Sequence, residues 1–225
     1  MSTEQLETTR RIGLIHATTL SMDPVKLAFS RLWPDAGFFH VLDNSLSDDR
    51  NKTTDLTEDL TRRISTLADY ALSCGTDGLL FTCSAFGEAI EAVAATASVP
   101  VLKPNEAMFE RALNIGGPVV MLATFQPSIS SMEKEFHAAA KVHGQDVELR
   151  SICIPEARAA LNAGDVDTHN KLLANAAETL SDTGAIMLAH FSMDRAVQEI
   201  EGRTDIPVLS PPANAVEHFR KLFEN

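Results

Sequence analysis

The sequence predicts an α/β protein of two pseudo-symmetric lobes, each with a four-stranded, mainly parallel sheet, and a site in the cleft between them. Two observations lead there. Short apolar runs alternate with helical patterns from one end of the 225 residues to the other, and such alternation belongs to parallel strands covered by helices. The second half also echoes the first: Pro100-Val101-Leu102 returns 107 positions later as Pro207-Val208-Leu209, and Pro104 returns as Pro211.

Residues 12–17 read as the first strand. A helix over 23–32 follows, with Asp23 as its N-cap and Pro24 at its first position, where a missing N–H costs nothing. A strand over 38–42 precedes a helix over 56–72, in which Leu56, Leu60, Ile64, Leu67 and Leu72 recur at helical spacing. The third strand, 78–82, runs into a helix ending near residue 97. A short strand over 99–102 and a helix over 105–113 come next. The order then restarts, with strands at 119–123, 147–152, 185–189 and 208–209 and helices at 127–142, 166–180, 193–200 and 213–223.

The first lobe is thus expected over 1–104 and the second over 105–225, with the C-terminal helix, 212–225, a candidate to pack back onto the first. Leu14-Ile15-His16-Ala17-Thr18 aligns with Val120-Met121-Leu122-Ala123-Thr124 at an offset of 106, so the repeat is expected to carry a one-residue slip. Open α/β sheets bind ligands at the carboxyl ends of their strands. The site should therefore be built from the segments after Ala17 and Ala123, after Thr82 and Ala189, and after Leu102 and Leu209.

A net charge of −12 argues against nucleic acid and against an anionic membrane surface, since both need a basic patch. The apolar runs are of strand length, well short of the ~20 residues of a membrane span. Residues 1–11 are polar and do not read as a secretory signal. Three cysteines make no disulfide framework, and reduced thiols in a cytoplasm are expected. Gly116-Gly117 before Pro118 reads as a turn, not a dinucleotide fingerprint. His137 and His143 do not share a helical face, which argues against a zinc pair.

Cys83 is the thiol in a chemically suggestive place. The run Leu79-Leu80-Phe81-Thr82-Cys83-Ser84 sets it directly after an apolar strand and at a helix start. Free amides and the helix dipole there favour an anion, so its pKa is expected to fall. Cys74, near a helix end, and Cys153, in an apolar strand, read as structural. At an offset of 107, Cys83 falls on His190.

The duplicated halves, Thr82-Cys83-Ser84, the stretch from Val120 to Ser128, the segment Leu188-Ala189-His190-Phe191-Ser192-Met193 and the following Pro207-Val208-Leu209 together resemble the aspartate/glutamate/hydantoin racemase superfamily over nearly the whole chain. The resemblance implies two lobes around a shared site, proton transfer at an acidic carbon, and no metal or organic cofactor. It also implies a small carboxylate, amino acid or hydantoin-like substrate and a homo-oligomer. In such racemases two cysteines flank the substrate. Cys83 matches the first, and His190 stands where the second would be. Imidazole is a competent acid or base near neutral pH, so a Cys/His pair is expected to serve an isomerase, by proton transfer or, as the resemblance to the family's maleate isomerases implies, by addition of the thiol at a double bond. A decarboxylase of a malonate-type acid with a single cysteine, and an idle anion-binding homologue, are the alternatives.

An enediolate needs donors aimed at its oxygens. Thr82 and Ser84 flank the thiol. Thr124 and Ser128 follow the first strand of the second half, with Thr18 as the first-half counterpart of Thr124, and Ser192 lies just past His190. These six hydroxyls are the candidate substrate-binding groups, and helix capping is the competing role for each. Lys103 is a further candidate for a substrate carboxylate, Asn105 for a helix cap, and His16 for a residue reaching the site from inside the first strand.

Overall fold

The computed structural model describes residues 9–224. Two four-stranded parallel sheets run in the orders β2-β1-β3-β4 and β6-β5-β7-β8. The first holds β1 (Arg11–His16), β2 (Gly37–Leu42), β3 (Gly78–Phe81) and β4 (Val101–Leu102). The second holds β5 (Val119–Ala123), β6 (Leu149–Cys153), β7 (Ala185–Leu188) and β8 (Val208–Leu209). The intervening helices are α1 (Met22–Leu32), α2 (Leu46–Asn51), α3 (Glu58–Ser73), α4 (Gly87–Ala94), α5 (Glu106–Ile115), α6 (Ile129–Val142), α7 (Pro155–Asn162), α8 (Val166–Glu178), α9 (Val197–Glu201) and α10 (Pro211–Glu224). Among the described residues no helix is long and apolar enough to cross a membrane.

The strand registers carry the duplication. Ile12 pairs with Gly78 as Val119 pairs with Ala185, and Leu80 pairs with Leu102 as Met187 pairs with Leu209. The shift is 107 residues for β1, β3 and β4 and 111 for β2, where Phe38 faces Ile12 as Leu149 faces Val119, so the slip expected at the first strand is absent. The counterpart of His16 is Ala123, and that of Thr18 is Phe125 rather than Thr124. The short Ala-Thr match was a coincidence of small residues next to the true alignment.

Helices on both faces explain why the central strands β3, β5 and β7 are apolar along their whole length. On one face of the first sheet, α3 and α4 bury Leu60, Ile64, Ala68 and Ile90 against Ile15, Leu79 and Phe81. On the other, Val25 and Phe29 of α1 and Val216 and Phe219 of α10 pack on Ile12, Leu14 and Leu80. The C-terminal helix thus packs on the first lobe, while α5 gives Met108, Phe109, Ala112 and Leu113 to the second lobe's core. Phe191 of the second lobe enters the first lobe's α1/α10 cluster, and Phe125 enters its α3/α4 cluster. These two phenylalanines fasten the lobes on either side of the cleft.

Some local expectations are corrected. Ser21, not Asp23, occupies the cap position of α1, and Asp23 lies in the first turn. Tight 3-10 turns, Ser84–Phe86, Gln126–Ser128 and Phe191–Ala196, separate β3, β5 and β7 from their helices. Two short helices, α2 and α7, fill stretches without an expected element. The Gly116-Gly117 turn holds φ of 81° and 79°, and beside it a Cβ on Gly184 would sit 2.2 Å from the carbonyl oxygen of Gly116. Gly184→Ala should therefore lower stability by about 1–3 kcal/mol through forced backbone displacement, read as a lower urea midpoint at unchanged slope. A midpoint equal to the wild type would contradict this close approach.

Candidate active site

Strand ends from both lobes enclose a cavity of about 30 Å³, whose walls include Thr18, Ser21, Ser47, Cys83, Arg158 and His190. Such a space holds about one water molecule. Thr82, Ser84 and Ser192 also line it. Cys83 and His190 occupy equivalent places: each is the extended residue between strand and 3-10 turn, with φ, ψ of −123°, 120° and −126°, 145°. The duplication therefore presents them to one space from opposite lobes. The rim is held across the lobes by Arg195, which donates from Nη2 to the carbonyl of Leu20 at 3.2 Å.

The thiol does not behave as its position after a strand suggested. Burial pushes the pKa of Cys83 above the ordinary thiol value, against the pull of the Ala85 amide, the Arg158 guanidinium, the Ser47 hydroxyl and Arg50. A three-residue 3-10 turn follows Cys83, so the dipole of a full helix is not aimed at the sulfur. Desolvation wins, and the resting form is the protonated thiol. Cys83 is nevertheless part-exposed into the cavity. Cys74 ends α3 and Cys153 ends β6, and neither lines this space.

His190 is held by both ring nitrogens. Nδ1 accepts from the backbone N–H of Thr124 at 3.3 Å and lies 3.2 Å from its hydroxyl. Nε2 lies 2.9 Å from Ser128 Oγ, which donates to the carbonyl of Phe125 at 2.8 Å. With its one hydrogen so used, Ser128 Oγ accepts from Nε2–H, which fixes the tautomer. Burial, and then the nearby Arg158 charge, lower the pKa of His190 to about 3, so the ring is neutral. Thr124 and Ser128 thus grip the histidine and do not line the 30 Å³ cavity.

Thr18 lines the cavity and also accepts from the N–H of Leu20 at 3.4 Å, a cap of the turn Thr19–Ser21. Lys103 lies elsewhere: it pairs with Glu91 at 2.8 Å and Glu135 at 3.7 Å beside a second cavity, of about 260 Å³. Asn105 stands before α5 without a capping bond, and its buried amide finds no partner among the described residues. His16 lies behind the cavity wall, fully buried, bonded through Nδ1 to Ser21 Oγ at 2.9 Å and Thr82 Oγ1 at 2.8 Å.

Four groups escaped the sequence reading: Ser21, Ser47, Arg50 and Arg158. Arg50 is buried and donates from Nε to the carbonyl of Ala85 at 3.1 Å, bracing the turn after Cys83. Arg158, on α7, lays its guanidinium over the Phe125 ring at 4.3 Å. It makes no ion pair or hydrogen bond among the described residues. With Ser47 and Phe125 it also lines an outer cavity of about 360 Å³, and so stands between the inner space and the outside.

The geometry defines a duplicated, two-lobed α/β protein with a thiol, a neutral imidazole and a guanidinium that has no ion pair among the described residues, all facing one interlobe space. Residues 31–219 match the Asp/Glu/Hydantoin racemase family, and the chain belongs to it. No curated protein matches the sequence. Among solved structures, glutamate racemase isoform RacE1 from Bacillus anthracis is similar at TM-score 0.77 and 15% identity, over 96% of this chain and 82% of that one. Aspartate racemase from Picrophilus torridus is similar at TM-score 0.70 and 13% identity, over 94% of each chain. Allantoin racemase from Klebsiella pneumoniae is similar at TM-score 0.66 and 15% identity, over 96% of this chain and 88% of that one.

Proposed function

We propose that the protein is a cofactor-independent isomerase that moves a proton at the carbon next to a carboxylate or imide carbonyl, with Cys83 as the group that exchanges it. The observation that carries this reading is one thiol and one unpaired guanidinium in the same interlobe cavity. Arg158 is a ready partner for an anionic substrate group, because beyond its stacking on Phe125 the desolvated guanidinium has no hydrogen bond or ion pair to break among the described residues. His190 faces Cys83 from the other lobe, where a racemase needs its second group. It stays neutral at rest and must release Thr124 to take a proton at Nδ1. Thr82, Ser84, Thr18 and Ser192 supply the hydroxyls around the substrate.

The double engagement of His190 favours a second reading, in which Cys83 alone protonates the carbanion left by decarboxylation. One experiment separates the two. Aspartate, glutamate, allantoin and an arylmalonate are incubated with the protein in deuterated water and followed by proton NMR and chiral chromatography. Loss of the α-hydrogen signal with appearance of the opposite enantiomer is the expected result. Release of carbon dioxide with label only in the product marks the lyase. An unchanged set of substrates would overturn both.

On whichever substrate turns over, Arg158→Gln should raise KM by about 10–100-fold with a smaller effect on kcat, the loss of one charge-assisted contact of about 1.5–3 kcal/mol. An unaltered KM would remove Arg158 from substrate binding.

A further inference from the structure

From the hydrogen-bond chain that runs from a part-exposed histidine through a buried one to the cavity wall, we infer that His40 and His16 form a proton path between solvent and the Cys83 cavity. The inference rests on the proton-transfer reading of that cavity. His40, on the edge strand β2, is part-exposed. Its Nδ1 lies 2.8 Å from Nε2 of the fully buried His16. On its far side, His16 Nδ1 meets Thr82 Oγ1 at 2.8 Å and Ser21 Oγ at 2.9 Å, and those two hydroxyls are 2.9 Å apart. Ser21 and Thr82 both line the cavity beside Cys83.

The remaining contacts give the chain a direction. Ser21 Oγ donates to the carbonyl of Thr18 at 3.1 Å, and Thr82 Oγ1 donates to that of Ile15 at 3.3 Å. Each hydroxyl therefore has a lone pair left for His16 Nδ1–H, and His16 Nε2 accepts from His40 Nδ1–H. His40 Nε2 is then the open acceptor. A solvent proton binds there, and the His40 Nδ1 hydrogen passes to His16 Nε2. The His16 Nδ1 hydrogen passes to Thr82 Oγ1, whose own hydrogen turns from the Ile15 carbonyl into the cavity and leaves to the one water there is room for, which carries it to the Cys83 thiolate. Each residue of the path gains one hydrogen and loses one, both rings end neutral in the opposite tautomer, and the reverse order returns a proton to solvent. Around His40 stand Asp23 and Lys26 of α1, Phe38 of its own strand and His16 of β1. The opposed charges of Asp23 and Lys26 offset one another at the mouth of the path.

The small volume of the cavity gives this path a use. Cys83 must regain or shed a proton between turnovers, and a site with space for one water cannot rely on bulk exchange. The test is the exchange of the His16 ring hydrogen with solvent, read by proton–nitrogen correlation on histidine-labelled full-length protein, so it needs no substrate. His40→Asn keeps an N–H for His16 Nε2 but cannot relay a proton. The expected result is exchange slowed by about a hundredfold, the lower range of what a positioned acid–base group contributes, with speed restored by added imidazole. His40→Phe, which gives no hydrogen bond, should slow it as well. Exchange at the wild-type rate in the asparagine variant would reduce His40 to a structural partner and overturn the path. Slowed exchange in a protein that turns over none of the substrates above would leave the path standing and sink the isomerase instead.

Discussion

Cys83→Ser is expected to remove α-hydrogen exchange by about 10²–10⁴-fold or more, the range a single positioned acid–base group supplies, while leaving the fold intact. Serine is nearly isosteric, and the turn after residue 83 is held by other groups, including Arg50 through the carbonyl of Ala85. What serine lacks is a proton it can give and take near neutral pH. Burial keeps the thiol protonated at rest, so Cys83 is set to deliver a proton to a carbanion as well as to take one. The companion measurement is alkylation of Cys83 by iodoacetamide in the unliganded protein. Its rate should rise on a pH profile displaced to the alkaline side of an ordinary thiol, because only the thiolate reacts. Cys74→Ser and Cys153→Ser are the controls, since neither residue touches the cavity. Undiminished exchange in Cys83→Ser would take the cysteine out of the mechanism.

The same residue shows where the sequence speaks and where it does not. That Cys83 and His190 face one space follows from strand order and repeat spacing, both visible in the apolar runs. The direction of the thiol pKa does not follow, because it depends on how much of the sulfur the opposite lobe covers. The helix dipole is a local property that sequence suggests. Desolvation is a property of lobe closure, and here it is the larger effect.

Arg158, Arg50 and Ser47 were missed for a related reason. They sit on α2, Leu-Ser-Asp-Asp-Arg-Asn, and α7, Pro-Glu-Ala-Arg-Ala-Ala-Leu-Asn. These helices are too short to show an apolar period. The importance of Arg158 lies in the absence of a partner, and only the packed structure reveals an absence. One signal was available: α7 opens with Pro155, two residues past the end of β6, at the cleft end of the second sheet. His16 was legible as a polar residue inside a buried strand, but its link to His40 needed the parallel register of β1 and β2, where Leu14 faces His40 and Ile15 faces Val41.

Acidification is expected to unfold the protein between about pH 6 and pH 4, through His16 and His190. Both have folded pKa values near 3, lowered chiefly by burial, with His40 adding to the effect on His16 and Arg158 to that on His190. In the unfolded chain each returns to 6.5. Between these values the unfolded state binds protons that the native state refuses. Stability is therefore full above 6.5 and falls as pH drops toward 3, by roughly 1 kcal/mol per pH unit for each histidine. From pH 6 to pH 4 the pair removes on the order of 5 kcal/mol, comparable with the whole stability of a typical domain. His40 and His169, also lowered by burial, push in the same direction. Glu135, whose pKa burial raises, opposes them by taking up a proton in the native state. Urea titrations followed by circular dichroism at several pH values give the slope of stability against pH. His190→Asn should flatten that slope by about one proton's worth, whatever it does to stability at pH 7. A slope unchanged by the substitution, or a wild type equally stable at pH 7 and pH 4.5, would mean that the histidine facing Cys83 takes up a proton in the native state, and the neutral imidazole assigned to the site would be lost.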